Sequence, residues 1–183
     1  MNKNIVKQSD LTGFFAIPSE FMDSEQFDLF SLKIQRDILA GANAINIGFL
    51  GINEYLLLVD DLTDNGEPQT QKYIDLINGK RYLEGSEKRE FQGIKYMLVG
   101  FIYAELIKRD LVSQIGIVQE TAENAMNEDK AATYRESADK FNDAAEFHNN
   151  DAYDYMATFS SLFPKWQFRR QQRYITNAIN IIR

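Results

Sequence analysis

Residues 91–106, FQGIKYMLVGFIYAEL, are apolar on nearly every face of a helix. Phe91, Ile94, Leu98, Phe101 and Glu105 recur three and four apart, and Met97, Val99, Ile102, Leu106 and Ile107 fill most of the remainder. A surface helix keeps a polar face, so a helix that lacks one must be covered from several sides at once. The chain therefore needs a central buried helix, over about 88–110, with other elements packed around it. Lys108, Arg109 and Asp110 end the apolar run. Beyond them Val112, Ile115, Ile117 and Val118 surround Gly116. This β-branched group predicts a short, β-prone arm able to pair with a neighbouring chain.

The elements that would cover the central helix can be read on either side of it. Asp23 with Gln26 has the spacing of a capping box, and Phe27, Phe30, Ile34 and Ile38 then recur at helical intervals to about Leu39. Residues 44–62 form a second helical run, interrupted by Gly48 and Gly51. The block DDLTDNGEP (60–68) reads as a turn, and residues 69–78 as a short helix stopped by Gly79. Along 128–159, Ala131, Tyr134, Ala138, Phe141, Ala145, His148, Ala152, Tyr155 and Phe159 alternate three and four apart. That is a heptad-like seam whose small residues admit a neighbouring helix. Asn149 and Asn150 would loosen this helix, and Pro164 would end it. The fold class expected is mainly α: a helical bundle with a central buried helix, the β-prone arm and an extended C-terminal tail. One domain spans 23–163, between a leader (1–22) that Phe14, Phe15 and Ile17 pin to the body and a docking tail (164–183).

Composition narrows the possible chemistry. With no cysteine among 183 residues, disulfides and thiolate metal sites are excluded. The N-terminus has no apolar signal region and no run approaches ~18 apolar residues, so a soluble protein is expected, with no membrane partner. The net charge is -7, unevenly spread. Residues 1–64 carry 4 bases and 10 acids, 65–111 carry 8 and 7, 112–159 carry 3 and 10, and 160–183 carry 5 bases and no acid. An acidic body argues against tight DNA binding, which needs many Lys and Arg against phosphates.

No motif supplies a catalytic apparatus, and no cofactor or metal is expected. Aligning Asp61, Thr63, Asn65 and Gly66 on a calcium loop puts Lys72 where the bidentate acid belongs, so the cluster reads as a polar turn. His148, the one histidine, falls on the apolar seam and reads as a packed side chain. Glu120/Glu123 and Asp139/Asp143 read as solvated helix faces. The segment from Gly48 to Gly51 lacks the Lys and the preceding strand of a phosphate loop. The tail PKWQFRRQQRYITNAINIIR (164–183) interleaves Trp166, Phe168, Arg169, Arg170, Arg173 and Tyr174, then continues through Ile175, Ile179 and Ile182. Aromatics with arginines could stack on bases, but they are also the residues enriched at protein hot spots. The isoleucines favour a protein surface, with packing inside the chain a third reading.

The order DLTGFFAIPSE (10–20), GFLGINEYLLLVDDL (48–62), NGEPQTQKYIDLINGKRY (65–82), FQGIKYMLVGFIYAEL (91–106), VSQIGIVQETAENA (112–125) and FPKW (163–166) resembles the head-to-tail connector (adaptor) ring proteins of tailed bacteriophages, especially crAss-like and related phages of Bacteroidetes. The resemblance implies a non-enzymatic virion protein at the head–tail junction, assembled in the host cytoplasm as a homo-oligomeric ring of about twelve copies. It implies contacts with the portal protein and with the next tail or ring protein, and DNA that passes through the lumen without sequence-specific binding. The partner-interface residues expected are Val112, Ile115, Ile117 and Val118 of the arm, and Trp166, Phe168, Arg169, Arg170, Arg173, Tyr174, Ile175, Ile179 and Ile182 of the tail. This chain is longer than the minimal adaptors. A small helical regulatory or toxin–antitoxin-type binding protein, an enzyme using buried carboxylates and a nucleic-acid-binding packaging factor remain the alternatives.

Overall fold

A computed structural model describes the backbone of residues 3–12, 24–41, 48–118 and 124–166. The protein is mainly helical. Its order is α1 (Gln8–Thr12), α2 (Ser24–Leu39), α3 (Gly51–Asp61), α4 (Gln71–Asn78), β1 (Lys80–Glu84), β2 (Glu87–Phe91), α5 (Ile94–Val118) and α6 (Asn124–Thr158), followed by a 3-10 turn, Ser160–Leu162.

The apolar run does what its pattern requires from Ile94 onward, whereas residues 88–91, expected to open this helix, belong to β2, and Gly93 at φ +93 turns the chain between the two. Ile94, Met97, Leu98, Ile102 and Leu106 are fully buried in the middle of the molecule. On one side α5 packs along α6, its most extensive partner. The two run antiparallel, because Tyr96 meets His148, Gly100 meets Ala145 and Tyr103 meets Phe141. The seam expected on α6 is the contact surface: Ala138, Ala145 and Ala152, seven residues apart, are all fully buried. Gly100 lies so close to this seam that a Cβ there would stand 2.9 Å from Ala145 Cβ and 3.2 Å from Phe141 O. Small residues on both helices therefore set the interhelical distance. Asn149 and Asn150 do not interrupt α6, which the long contact with α5 holds through both.

The other sides of α5 are covered by α1, α2 and α4. Phe27 and Phe30 are buried and Ile34 and Ile38 half-buried, the stripe read from the sequence. Gly79 takes φ +90 as the C-cap of α4, and a Cβ there would strike Phe91 O. The leader joins the body through residues 3–12. Ile5, Val6 and Leu11 are buried, Ile5 N donates to Gln35 Oε1 at 2.8 Å, and Ser31 Oγ donates to Val6 O at 3.1 Å. At the other end Phe163 and Trp166 are buried too, so the body extends beyond 23–163 in both directions. Phe14, Phe15 and Ile17 lie outside the described residues, as does Asp23.

Two elements differ from expectation. The β-prone arm is not extended: residues 112–118 continue α5 as helix to Val118. The apolar helix preceding them propagates at little cost, and propagation outweighs the weak β preference of Val and Ile. Its main-chain groups are thus engaged within the helix, which removes strand pairing as a way for Val112, Ile115, Ile117 and Val118 to hold a neighbour. The strands occur instead at 80–91, as a two-stranded antiparallel hairpin with Lys80 opposite Phe91 and Glu84 opposite Glu87.

Candidate functional site

Among the described residues, 83–90 of the hairpin form the longest unbroken exposed run. Phe91 is buried and Tyr82 half-buried, while every other strand residue is exposed. Tyr82 anchors the ribbon, meeting Tyr155 and Phe159 edge-on at 5.5 and 5.4 Å. Phe91 stacks on Tyr155 at 4.4 Å and fixes the base. At the base Lys80 Nζ also donates to Asp75 Oδ2 of α4 at 2.6 Å, and past these contacts the strand residues are exposed. Arg81–Glu90 and Arg89–Glu84 ion pairs at 3.4 and 3.0 Å tie the ribbon's strands together, and Arg89 also reaches Glu87 of its own strand at 3.6 Å; being exposed, each adds only about 0–1 kcal/mol. Near the tip Leu83, opposite Lys88, is 62% exposed.

At the ribbon's base an open cleft of about 380 Å³ is lined by Lys80, Arg81, Glu90, Gln92 and Tyr96 among others. Beside it, Tyr96 on α5 and Phe147 on α6 are 57% and 64% exposed, with His148 between them at ring distances of 5.9 and 5.7 Å. The cleft is shallow and polar and contains a single carboxylate, from Glu90, ion-paired to Arg81. Its geometry suits a side chain or loop from another protein better than acid–base chemistry on an enclosed substrate.

A second constellation fastens the C-terminal end of the body. Glu54 on α3 is fully buried. Its Oε1 accepts from Tyr73 Oη at 2.8 Å and from Lys72 Nζ at 3.4 Å, and its Oε2 accepts from Lys165 N at 3.3 Å. Lys72 Nζ also reaches Leu162 O at 3.3 Å and lies 4.2 Å from the Tyr73 ring centre. Next along the chain, Trp166 Nε1 donates to Phe49 O at 2.9 Å, and its indole tilts against Tyr153 at 6.2 Å. A buried carboxylate stripped of its partners costs about 3–5 kcal/mol. Tyr73 and Lys72 of α4 serve Oε1, and Oε2 keeps its donor from Lys165 only while residues 162–166 stay clasped against α3 and α4. Burial, with Glu54 beside it, lifts the Tyr73 phenol far above its ordinary value. Burial, then Asp75 and Tyr82, push Tyr155 up to about 12. Neither phenol is available as a base near neutral pH.

The acidic turn is structural. Asp61 Oδ2 accepts from Gln69 N and Thr70 N, both at 2.9 Å, and its Oδ1 accepts from the Thr70 hydroxyl. These bonds lead the chain into α4. Gly66, at φ +76, passes so close to Asn4 O that no side chain fits. Among the described residues, no three metal-ligating side chains gather in one place, and no helix is long and apolar enough to cross a membrane.

Of the residues expected at a partner interface, Trp166 is buried in its own chain, 8% exposed, as the packing reading allowed. Residues 112–118 share one helix, but their side chains lie outside what is described. Phe168, Arg169, Arg170, Arg173, Tyr174, Ile175, Ile179 and Ile182 lie outside the described residues altogether. His148 is half-buried against aromatics, as a packed histidine would be. Sequence reasoning passed over Glu54, Leu83, Tyr96 and Phe147. Glu54 had a signal, for it sits on one helical stripe with Leu58 and Leu62, where only apolar residues would be expected. Comparison with protein-family profiles, with curated proteins and with solved structures gave no match.

Proposed function

We propose that the protein is a non-enzymatic structural subunit of a ring at the portal–tail junction of a phage virion, extending the DNA conduit and joining the portal to the next tail component. The order of sequence motifs resembles the connector family. The observation that carries the reading is the hairpin: a rigidly anchored ribbon that leaves the body, exposes Leu83 and borders the Tyr96–Phe147 patch. Subunits in a closed ring need a feature of one copy that engages the next, and the ribbon with its exposed Leu83 supplies one. The acid surplus fits the same role, because an acidic lumen would repel passing DNA and keep it from sticking.

The test is co-sedimentation with the portal protein of the same phage. The proposal expects a stoichiometric complex with portal assemblies, weakened by Leu83→Asp if the hairpin mediates ring closure. Failure of the intact protein to bind portal assemblies at tens of micromolar contradicts it. Salt-sensitive binding to DNA alone, without the portal, would instead identify a packaging factor.

A further inference from the structure

The hairpin is a sheet of two strands, so each strand has one edge unpaired. We infer that copies of this chain join through these edges: β1 of one copy lies antiparallel to β2 of the next. The inference deepens the ring reading and rests on it.

The turn decides which main-chain groups can pair. Residues 85–86 form a two-residue turn between the strands, with Gly85 at φ +62, as such turns require. Glu84 and Glu87, which close the turn, are then a hydrogen-bonded pair, and bonded and non-bonded pairs alternate from there along the ribbon. Arg81 and Leu83 on β1, and Lys88 and Glu90 on β2, therefore turn their N–H and C=O groups outward. All four residues are exposed, and no hydrogen bond from another described residue reaches those groups. An open edge of this kind is a template for another chain.

The side chains select the partner strand. Setting Arg81 opposite Glu90, and Leu83 opposite Lys88, of the next copy repeats the register inside the hairpin. Outward main-chain groups then face outward main-chain groups, and each such pair exchanges two hydrogen bonds. Charges on an edge ordinarily keep other strands away, but here they are complementary. Arg81 comes to stand between its own Glu90, already 3.4 Å away, and that of the neighbour. Leu83 lies against the aliphatic stem of Lys88. Only the tip row, Glu84 and Glu87, is of one sign, and Arg89 of the same hairpin reaches both carboxylates. A two-fold pairing of β1 with β1 would consume that edge and leave β2 open. Pairing β1 with β2 leaves no edge once a ring closes.

The chain has no cysteine, so introduced thiols report on this contact alone. Leu83→Cys and Lys88→Cys proteins, mixed in equal amounts at hundreds of micromolar and oxidised, should form the mixed disulfide at least tenfold faster than either forms a disulfide with itself. Equal rates in a protein that native mass spectrometry shows as a closed ring overturn the strand pairing and leave the ring reading standing. A protein that stays monomeric overturns both. Fastest oxidation of Leu83→Cys with itself assigns β1 to a two-fold pair and also overturns the proposal. A second readout addresses the main chain. Lys88→Pro removes an outward N–H and no bond within the hairpin. It should raise the concentration needed for assembly at least tenfold, with unchanged far-ultraviolet circular dichroism, while Lys88→Ala assembles as the wild type does. Equal assembly of these two variants overturns the strand pairing.

Discussion

Replacing Trp166 with alanine tests whether the C-terminal clasp belongs to the folded body. The indole is 8% exposed, hydrogen-bonded to Phe49 O at 2.9 Å and packed beside Tyr153. Removing a buried Trp costs about 3–5 kcal/mol in a core that cannot collapse into the space. Trp166 sits at the end of the described body, so residues 163–166 can release locally and cap the loss. The lower figure, about 3 kcal/mol, is therefore expected. In a protein of this size that is about 6–12 °C of Tm. Trp166→Phe keeps most of the apolar contact and loses the hydrogen bond, for about 1 kcal/mol. Urea unfolding followed by far-ultraviolet circular dichroism measures both. Trp166 is the single tryptophan, so its emission reports the clasp directly in the wild type and in Glu54 variants. Glu54→Leu should shift that emission to the red before the helices melt, because Lys165 N and Tyr73 Oη lose their shared acceptor. A Trp166→Ala protein within about 0.5 kcal/mol of wild type, the range of ordinary surface substitutions, would refute the reasoning.

Three further outcomes follow from the same contacts. Gly100→Ala should destabilise by about 1–2 kcal/mol net in urea melts, because overpacking against Ala145 and Phe141 O outweighs the gain in helix propensity; a stabilised variant would mean that α5 and α6 are not in close contact. For Asp61, burial would raise the carboxyl pKa, but the bonds from Thr70 and Gln69 and the charge of Lys72 outweigh it and hold the pKa below its ordinary value. The stability they supply is complete above the unfolded value of about 4 and is lost as pH falls through the lower folded value; Asp61→Asn should flatten the acid limb of a Tm-versus-pH curve, and an unchanged limb would count against the brace. Leu83→Asp should leave Tm within about 1 °C, since the side chain is exposed, yet reduce self-assembly measured by light scattering; assembly at wild-type strength would remove the hairpin from the interface.

Much of the fold was legible because the strongest signals were periodic. The α5 run lacked a polar face and became the buried centre. The α6 seam, with Ala138, Ala145 and Ala152 in register, became the surface packed on it. Gly79 stopped α4 as a glycine after a helical run should. The failures have physical causes. Residues 112–118 looked β-prone in isolation, but helix propagation from α5 overrode local preference. The hairpin was hidden because strands 80–84 and 87–91 are rich in Lys, Arg and Glu and carry no apolar alternation; Tyr82 and Phe91 pack on the body and Lys80 pairs with Asp75. Glu54 reads as a polar interruption in an apolar helix until Tyr73 and Lys165, 19 and 111 residues away, are seen to converge on it.

The central claim is that this chain assembles as a closed ring, and native mass spectrometry of the concentrated protein tests it most directly. The expected result is one dominant species at about twelve times the chain mass of 21.1 kDa, with no ladder of open intermediates, as closed symmetry requires. A stable monomer or dimer that persists at hundreds of micromolar would contradict it and point to a small helical binding protein instead.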